Sequence, residues 1–332
     1  MVTVAILGGG FMGAAHATNY KALGERVRVK TVASRSSERA ARAAEIVGAE
    51  VTGDLDAAIL DPAVDAVDIC LPTPLHRLYT ERALAAGKSV FLEKPIALTI
   101  EDADAIVARA SRSDAVFMVG MVLRFWPEYV ELQRLVADGK LGRPRAVSTF
   151  RLSPPADWND WMADRSQSGG PAVDLMIHDL DQMNWLLGTP RSVYASETTP
   201  GHLHAVVEYD GASGVAEGSM SMPRSYPFSS SIRVLCENAV AEYGFSAAPV
   251  EGEGNIGASA SARGLRIFPV EGELEIVPVE SADPWGPELE EFVSCVEQGR
   301  QPAQGTGEQA RLALRVSLAA ARSLQSGKPE AI

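Results

Sequence analysis

Three glycines near the start of the chain are spaced for binding a dinucleotide. They follow the apolar run Val2–Leu7 and precede a segment of helical periodicity. In this GxGxxG pattern, the first two glycines permit a tight turn and close backbone approach, and the third permits close helix packing. N–H groups at the helix start then face the pyrophosphate. The residues expected to contact it are Gly8, Gly10, Phe11, Met12 and Gly13.

The residues after the second apolar run, Val27–Ala33, bear on which dinucleotide is bound. Ser34 and Arg35 stand where an acid would bind a ribose 2′-hydroxyl, and Arg39 follows one turn later. A hydroxyl beside a guanidinium suits a 2′-phosphate, so we favour NADP(H) over NAD(H). Alternatively, Ser34 or Ser36 caps the next helix and Arg35 stacks on adenine, which would permit either cofactor.

A lysine follows the fourth apolar run in the sequence Glu93-Lys94-Pro95. It stands at the carboxyl end of a predicted strand, the edge at which open α/β sheets bind ligands. Because the preceding residues Val90–Leu92 are typical of a buried strand, we expect Lys94 to point into a cleft.

A second pair of residues could transfer protons. Asp174 and His178 lie four apart, on one face of a predicted helix that begins near Gly169. A carboxylate one turn away can orient an imidazole and favour its protonated form. Such a pair is also a common helix-surface contact.

A metal site would need ligands beyond this pair. Asp181 is one candidate, and His202 and His204, on one face of a strand, are two others. Because no spacing fixes three ligands together, we expect no metal.

The elements that must position these residues follow two different sequence patterns, one in each half of the chain. As far as Val122, apolar runs alternate with helical stretches, which predicts a doubly wound parallel sheet of the Rossmann type. The further runs are Ala66–Leu71, Ser89–Leu92 and Val116–Met121, and the helical stretches are Gly13–Leu23, Ser37–Val47, Leu75–Ala86 and Thr99–Ala110. The last stretch opens with a capping-box pattern at Thr99.

After residue 122 the pattern indicates a helix to about Ala137 and then strands, which predicts a second α/β domain with an open, mostly antiparallel sheet. The strand-like segments are Ala146–Leu152, His204–Tyr209, Ala216–Met222 and Ser231–Cys236, and the closing helices are Pro287–Gln298 and Gly307–Ser326. Pro154–Ser168 is predicted to be a long loop, and Gly252–Gly264 an exposed, mobile connection. We therefore expect a dinucleotide-binding domain at 1–122 and a substrate and oligomerisation domain at 123–332, with the final helix able to pack on the first.

Composition excludes several classes of partner. The 332 residues carry a net charge of −13 without a basic run, so we expect neither nucleic-acid nor membrane binding. With no leader-like start and no apolar stretch near 18 residues, we expect a cytoplasmic protein. The three cysteines, Cys70, Cys236 and Cys295, are expected to be packing residues rather than a disulfide or zinc site.

Several motifs together resemble the glucose–fructose oxidoreductase/inositol dehydrogenase (Gfo/Idh/MocA) family. They are the N-terminal GxGxxG, Pro72-Thr73-Pro74-Leu75-His76, the run Ala86-Gly87-Lys88 to Glu93-Lys94-Pro95, Gly169-Gly170 with Asp174 and His178, and the closing Ser323 to Pro329. The resemblance covers essentially the whole chain.

The resemblance implies a set of roles. Lys94, Asp174 and His178 would act on a sugar or polyol hydroxyl beside a nicotinamide, and Arg124 would contact substrate or cofactor. The expected cofactor contacts beyond the glycine loop are Leu71, Thr73, His76, Glu93 and Lys94. The family's open C-terminal sheet commonly serves oligomerisation, so a homodimer or homotetramer is expected.

We therefore hypothesise reversible oxidation of a secondary alcohol. His178 would remove the hydroxyl proton, Lys94 would stabilise the developing alkoxide, and Asp174 would orient His178 or bind a neighbouring hydroxyl. Trp158, Trp161 and Arg165 could frame a neutral sugar, inositol or sugar-derived ketone, or the tryptophans could anchor the loop. The resemblance leaves two alternatives, a cofactor-retaining glycosidase and a non-catalytic nucleotide-sensing regulator.

Overall fold

The structure is a computed structural model that describes residues 1–155, 160–247, 263–279 and 283–332. Within these ranges the chain divides into two compact units, Met1–Trp126 with Ala282–Arg311, and Pro127–Ser281 with Leu312–Ile332. A search of the same residues finds no helix that is both long and apolar enough to span a membrane.

The first unit contains a six-stranded parallel sheet in the order β3-β2-β1-β4-β5-β6. Its elements are β1 (Val2–Leu7), α1 (Phe11–Ala22), β2 (Val27–Ala33), α2 (Ser37–Val47), β3 (Glu50–Thr52), α3 (Leu55–Leu60), β4 (Ala66–Ile69), α4 (His76–Ala85), β5 (Ser89–Glu93), α5 (Ile100–Ala110) and β6 (Phe117–Gly120). The predicted doubly wound sheet is confirmed. Its strand order reverses between β1 and β4, where such sheets bind ligands at their carboxyl ends.

The second unit contains a nine-stranded sheet in the order β14-β13-β12-β11-β7-β10-β9-β8-β15, in which only β7 and β10 pair in parallel. The remaining elements of the chain are α6 (Pro127–Ala137), β7 (Pro144–Leu152), α7 (Asp160–Ala163), α8 (Arg165–Ser168), α9 (Gly170–Asp174), α10 (Ile177–Leu187), β8 (Ser192–Thr199), β9 (His202–Tyr209), β10 (Ala212–Ser219), β11 (Ser229–Cys236), β12 (Ala239–Ser246), β13 (Arg263–Pro269), β14 (Glu275–Val277), α11 (Gly286–Gln298), α12 (Gly307–Ser326) and β15 (Glu330–Ala331). The predicted mostly antiparallel sheet is confirmed. The helix α11 belongs to the first unit.

The two faces of the large sheet differ. One face packs against α6, α9 and α10. The other, which we call the open face, carries exposed apolar side chains on several strands. Among them are Tyr194, Val206, Val215 and Leu235.

The segment Pro154–Ser168, predicted to be a loop, contains two short helices, α7 and α8. Asp164 accounts for the second, because its carboxylate accepts a hydrogen bond from the backbone N–H of Ser166 at 2.9 Å and caps the helix. Trp158, and the expected mobile connection over residues 252–262, lie outside the described residues.

A buried ion pair fixes α10 to β7. The Arg151 guanidinium donates to both carboxylate oxygens of Asp179, at 2.8 and 3.2 Å, and the two side chains are only 5% and 2% exposed. Such a pair is costly to break, because the remaining partner keeps an uncompensated charge in a low-dielectric interior.

We predict that Asp179→Ala lowers the free energy of unfolding by about 3–5 kcal/mol, since Arg151 would lose its buried counter-ion. Urea denaturation followed by circular dichroism measures the change. Arg191→Ala is the matched control, because the Arg191 side chain is 68% exposed and the loss of its surface pair with Asp210 should have no measurable effect. Equal midpoints for the two variants would contradict the prediction.

Candidate active site

The glycine loop after β1 is shaped by two close backbone contacts. A Cβ at Gly8, where φ is +110°, would lie 2.3 Å from the Cys70 carbonyl oxygen, and one at Gly13 would lie 1.9 Å from the Gly8 oxygen. At Gly10, by contrast, none of the described atoms lies within 4 Å of the same position. Only glycine therefore fits at Gly8 and Gly13, and open space lies over Gly10.

The start of α1 suits an anion. Gly10 is its N-cap residue, and among the described side chains none caps this helix end. A helix N-terminus directs N–H groups and the positive end of its dipole outward. Together with the open space over Gly10, this arrangement fits a dinucleotide pyrophosphate.

The corner after β2 contains the helix cap that one of the two alternatives required. The Ser36 hydroxyl accepts a hydrogen bond from the Arg39 backbone N–H at 3.5 Å and is the N-cap of α2. The Ser34 hydroxyl accepts from the Ser36 N–H at 3.3 Å. The Arg35 and Arg39 residues are exposed. Ser36 is thus a capping residue, and the two arginines are exposed residues at the same corner.

The carboxyl ends of β1, β4 and β5 are neighbours, so the glycine loop, the loop after β4 and Lys94 lie along one edge. His76 joins the last two, since its Nδ1 is 2.9 Å from the Pro95 carbonyl oxygen and its Nε2 is 2.8 Å from that of Leu71. Burial lowers the pKa of His76. A neutral imidazole has a single N–H, so His76 donates to one of these two carbonyl oxygens, and its ring lies between the loop after β4 and the cis Lys94–Pro95 peptide.

Beneath this edge lies a group of enclosed titratable side chains. We call it the buried ionisable cluster, and its members are His16, Asp68, Cys70, Glu93 and Glu288. His16 Nδ1 is 2.8 Å from Asp68 Oδ2, and its Nε2 is 3.2 Å from Glu93 Oε1. The Glu93 Oε2 in turn accepts a hydrogen bond from the Lys94 backbone N–H at 3.0 Å.

The protonation states in the cluster follow from burial and charge. Burial is the largest single effect and opposes a positive charge on His16, but Asp68 and Cys70 together outweigh it, and the pKa of His16 is raised well above its ordinary value. Burial raises the pKa of Glu288, and the nearby Glu93 carboxylate raises it further. An imidazolium between two carboxylates, with Glu288 protonated, is the arrangement these shifts favour.

The cluster connects the helix that starts at the glycine loop to the residue that precedes Lys94. His16 and Glu288, on α1 and α11, were not predicted as functional residues. Asp68 carried a usable signal, because an acid inside the apolar strand Ala66–Ile69 requires a buried partner. The Glu93 carboxylate lies against His16, and its expected contact with the cofactor stays a prediction.

Asp174 and His178 were predicted to lie on one helix. In the second unit they lie on two separate helices instead. Asp174 ends α9, and α10 begins at Ile177. The interruption arises because the Leu175 and Met176 N–H groups both bond the Pro171 carbonyl oxygen, which widens the turn. Asp174 is buried and His178 half-buried.

Two glycines in β10 determine how close this helix junction approaches the sheet. A Cβ at Gly218 would lie 2.2 Å from Met176 Cγ, and one at Gly214 would lie 2.4 Å from Met183 Sδ. The junction and α10 thus pack into space that only glycine leaves on the strand. Because they are separated by more than 30 residues in sequence, these contacts were not predictable from local spacing.

The other residues that were predicted to belong to the site lie in different elements of the fold. Arg124 is 4% exposed in the first unit and donates to Gln304 Oε1 at 2.7 Å. Trp161 is half-buried in α7, and Asp181 is 2% exposed in α10. Lys94 belongs to the first unit and Asp174 and His178 to the second, so their joint action stays a proposal.

Comparison with known proteins defines the class of the molecule. Residues 2–121 match the model of an oxidoreductase family with an NAD-binding Rossmann fold, and residues 129–242 match the GFO/IDH/MocA C-terminal domain. The chain therefore belongs to the Gfo/Idh/MocA family of oxidoreductases, as its motifs indicated.

Individual relatives extend over nearly the whole chain. It is 30% identical to inositol 2-dehydrogenase of Rhizobium meliloti (strain 1021), over 97% of each protein, and 30% identical to 1,5-anhydro-D-fructose reductase of Ensifer adhaerens, over 90% of each. It also resembles the crystal structure of aldose-aldose oxidoreductase from Caulobacter crescentus complexed with glycerol. That similarity has a TM-score of 0.84 at 25% identity and covers 100% of this chain and 99% of the other.

We predict that Glu288→Gln flattens the pH dependence of stability. Because the pKa of Glu288 is raised in the folded state, folding takes up a proton above the ordinary glutamate pKa, and wild-type stability falls as pH rises. Glutamine takes up no such proton. The melting temperature of the Glu288→Gln variant should therefore rise relative to that of wild type as the pH increases from about 5 to about 8.

Glu290→Gln provides the control on the same helix, since Glu290 is 57% exposed and pairs with Arg26 at the surface. Its stability curve should run parallel to that of wild type. A Glu288→Gln curve that also stays parallel would show that Glu288 is ionised in the folded protein.

Proposed function

We propose that the protein is an NAD(P)-dependent dehydrogenase or reductase that interconverts a secondary alcohol and a ketone of a sugar, inositol or similar polyol. One observation carries the proposal. The anion-accepting glycine loop and Lys94 lie at one edge of the parallel sheet, after strands β1 and β5, on either side of β4. This is the edge and switch point at which such folds bind dinucleotides.

The side chains would divide the proton chemistry. A bound nicotinamide supplies the hydride acceptor or donor. Lys94 hydrogen-bonds the reacting oxygen and stabilises its developing negative charge, and His178 takes the hydroxyl proton. Asp174 orients His178 or binds a neighbouring hydroxyl.

The nature of the relatives supports the substrate class. The two relatives described above align over nearly the full chain, and they are named for an inositol and for an anhydrosugar. Trp161 on α7 offers an apolar face of the kind that packs on a sugar ring. Arg165, beside it in sequence, pairs with Glu197, which argues against a phosphate site there.

We propose NADP(H) as the preferred cofactor. In the described corner after β2, Arg35 is exposed and the adjacent Ser34 hydroxyl is oriented by the turn. A planar, permanently charged guanidinium is suited to a 2′-phosphate. NAD(H) would need a partner for its free 2′-hydroxyl, and no acid stands between Ala33 and Ser37 in the sequence.

The open face supports self-association into a homodimer or homotetramer. Exposed apolar side chains on neighbouring strands form a surface of the kind that marks protein interfaces. The three cysteines are all free thiols, which suits a reducing compartment, and we place the enzyme in the cytoplasm.

We predict that Lys94→Met lowers kcat at least about 100-fold, because the charge that stabilises the developing alkoxide is lost. Cofactor affinity, measured by fluorescence titration with NADPH, should change little. The activity assay is a spectrophotometric screen of polyols and aldoses with both NAD⁺ and NADP⁺.

Lys21→Met is the control, because Lys21 is an exposed lysine on α1. It should retain wild-type kcat. Undiminished turnover by the Lys94 variant would remove this lysine from the reaction.

We predict that Arg35→Ala lowers kcat/KM with NADP⁺ roughly 10- to 100-fold, the value of one or two charge-assisted hydrogen bonds, and leaves kcat/KM with NAD⁺ nearly unchanged. Arg28→Ala, an exposed arginine near the opposite end of β2, is the matched control. An equal loss with both cofactors would indicate that Arg35 stacks on adenine instead.

A further inference from the structure

Three side chains on the open face are brought together by strand register. His202 and His204 lie two residues apart on β9 and therefore project to the same side of the sheet. On the antiparallel neighbour β10, Glu217 pairs directly opposite His204. The histidine spacing is visible in the sequence, but the carboxylate is added only by the pairing of the strands.

The three side chains are close enough to share one ion. His202 Nε2 is 3.1 Å from Glu217 Oε1, and the centroids of the two imidazole rings are 5.2 Å apart. One ligand atom from each residue lies within 4.8 Å of the other two. Ligands about 2.1 Å from a tetrahedral zinc ion lie ~3.4 Å from each other, so small side-chain rotations would complete the set.

In the single chain the site is accessible from the open face, and self-association through that face would place it at the interface between copies. The His202 and Glu217 side chains are 23% and 35% exposed. His204 and Glu217 also line a groove of about 550 Å³ on the open face, which leaves room for an ion and its water. The buried ionisable cluster has no such access, and both ring nitrogens of His16 already contact carboxylates.

We propose that His202, His204 and Glu217 form a binding site for one divalent transition-metal ion of the zinc class. Two imidazoles and one carboxylate suit zinc, copper or nickel, whereas magnesium and calcium prefer oxygen ligands alone. A fourth position is open to water. The ion joins β9 to β10 and stabilises the sheet by binding the folded state.

The test uses tag-free protein that has been stripped with a chelator, because an affinity tag of histidines would mask the site. Zn²⁺ is titrated in competition with a chromophoric chelator, and Co²⁺ is added separately to record its visible spectrum. Wild type should bind a single Zn²⁺ per chain and show cobalt bands of four-coordinate geometry.

His204→Ala and Glu217→Gln should each weaken Zn²⁺ binding at least about tenfold, since even groups that only orient metal ligands are worth that much. Glu208→Gln is the matched control, because Glu208 lies on the same face of β9 but outside the three-residue set. It should bind Zn²⁺ as wild type does.

Circular dichroism spectra establish that the variants are folded, and His202→Ala provides a second loss of an imidazole. Substoichiometric binding by wild type, or Zn²⁺ affinity that survives all three substitutions, would overturn the proposal. His202 and Glu217 would then form only a surface ion pair.

Discussion

An imidazolium held between two buried carboxylates is the constraint on which the first unit depends. A charge removed from water is tolerated only where counter-charges and hydrogen bonds replace the solvent. His16 on α1 must therefore stay against Asp68 on β4 and Glu93 on β5. Because α1 begins at the glycine loop and Glu93 bonds the Lys94 backbone, the same contacts fix both ends of the proposed cofactor site.

The second unit repeats this arrangement with different residues. Asp179, paired with Arg151 in the interior, directly follows His178 in the chain, whereas Glu93 directly precedes Lys94. In each unit a residue proposed to handle protons is thus next to a buried, paired carboxylate. Its backbone is thus anchored beside a buried ion pair, which is how a rigid scaffold can present a reactive group.

Local patterns identified five of the six strands of the parallel sheet and four of the nine strands of the larger sheet. Thr99 was identified as a cap from sequence, and its hydroxyl accepts from the Asp102 N–H at 3.1 Å. The short strand Glu50–Thr52 was missed, because three residues carry too little periodicity to be read. The break between α9 and α10 was missed for another reason: helical spacing continues through Leu175 and Met176, while the hydrogen bonds to Pro171 do not.

The contacts at the two sites that the sequence could not predict join residues that lie far apart in the chain. As an acid in an apolar strand, Asp68 indicates that a buried partner exists. Only the fold shows that this partner is His16, 52 residues away. Likewise, His202 and His204 are two members of a ligand set whose third member, Glu217, depends on the register of β10. A slip of one residue in that register would turn Glu217 to the helix-covered face. Residue types therefore indicate which chemistry is possible, and strand register and helix packing decide which groups meet to perform it.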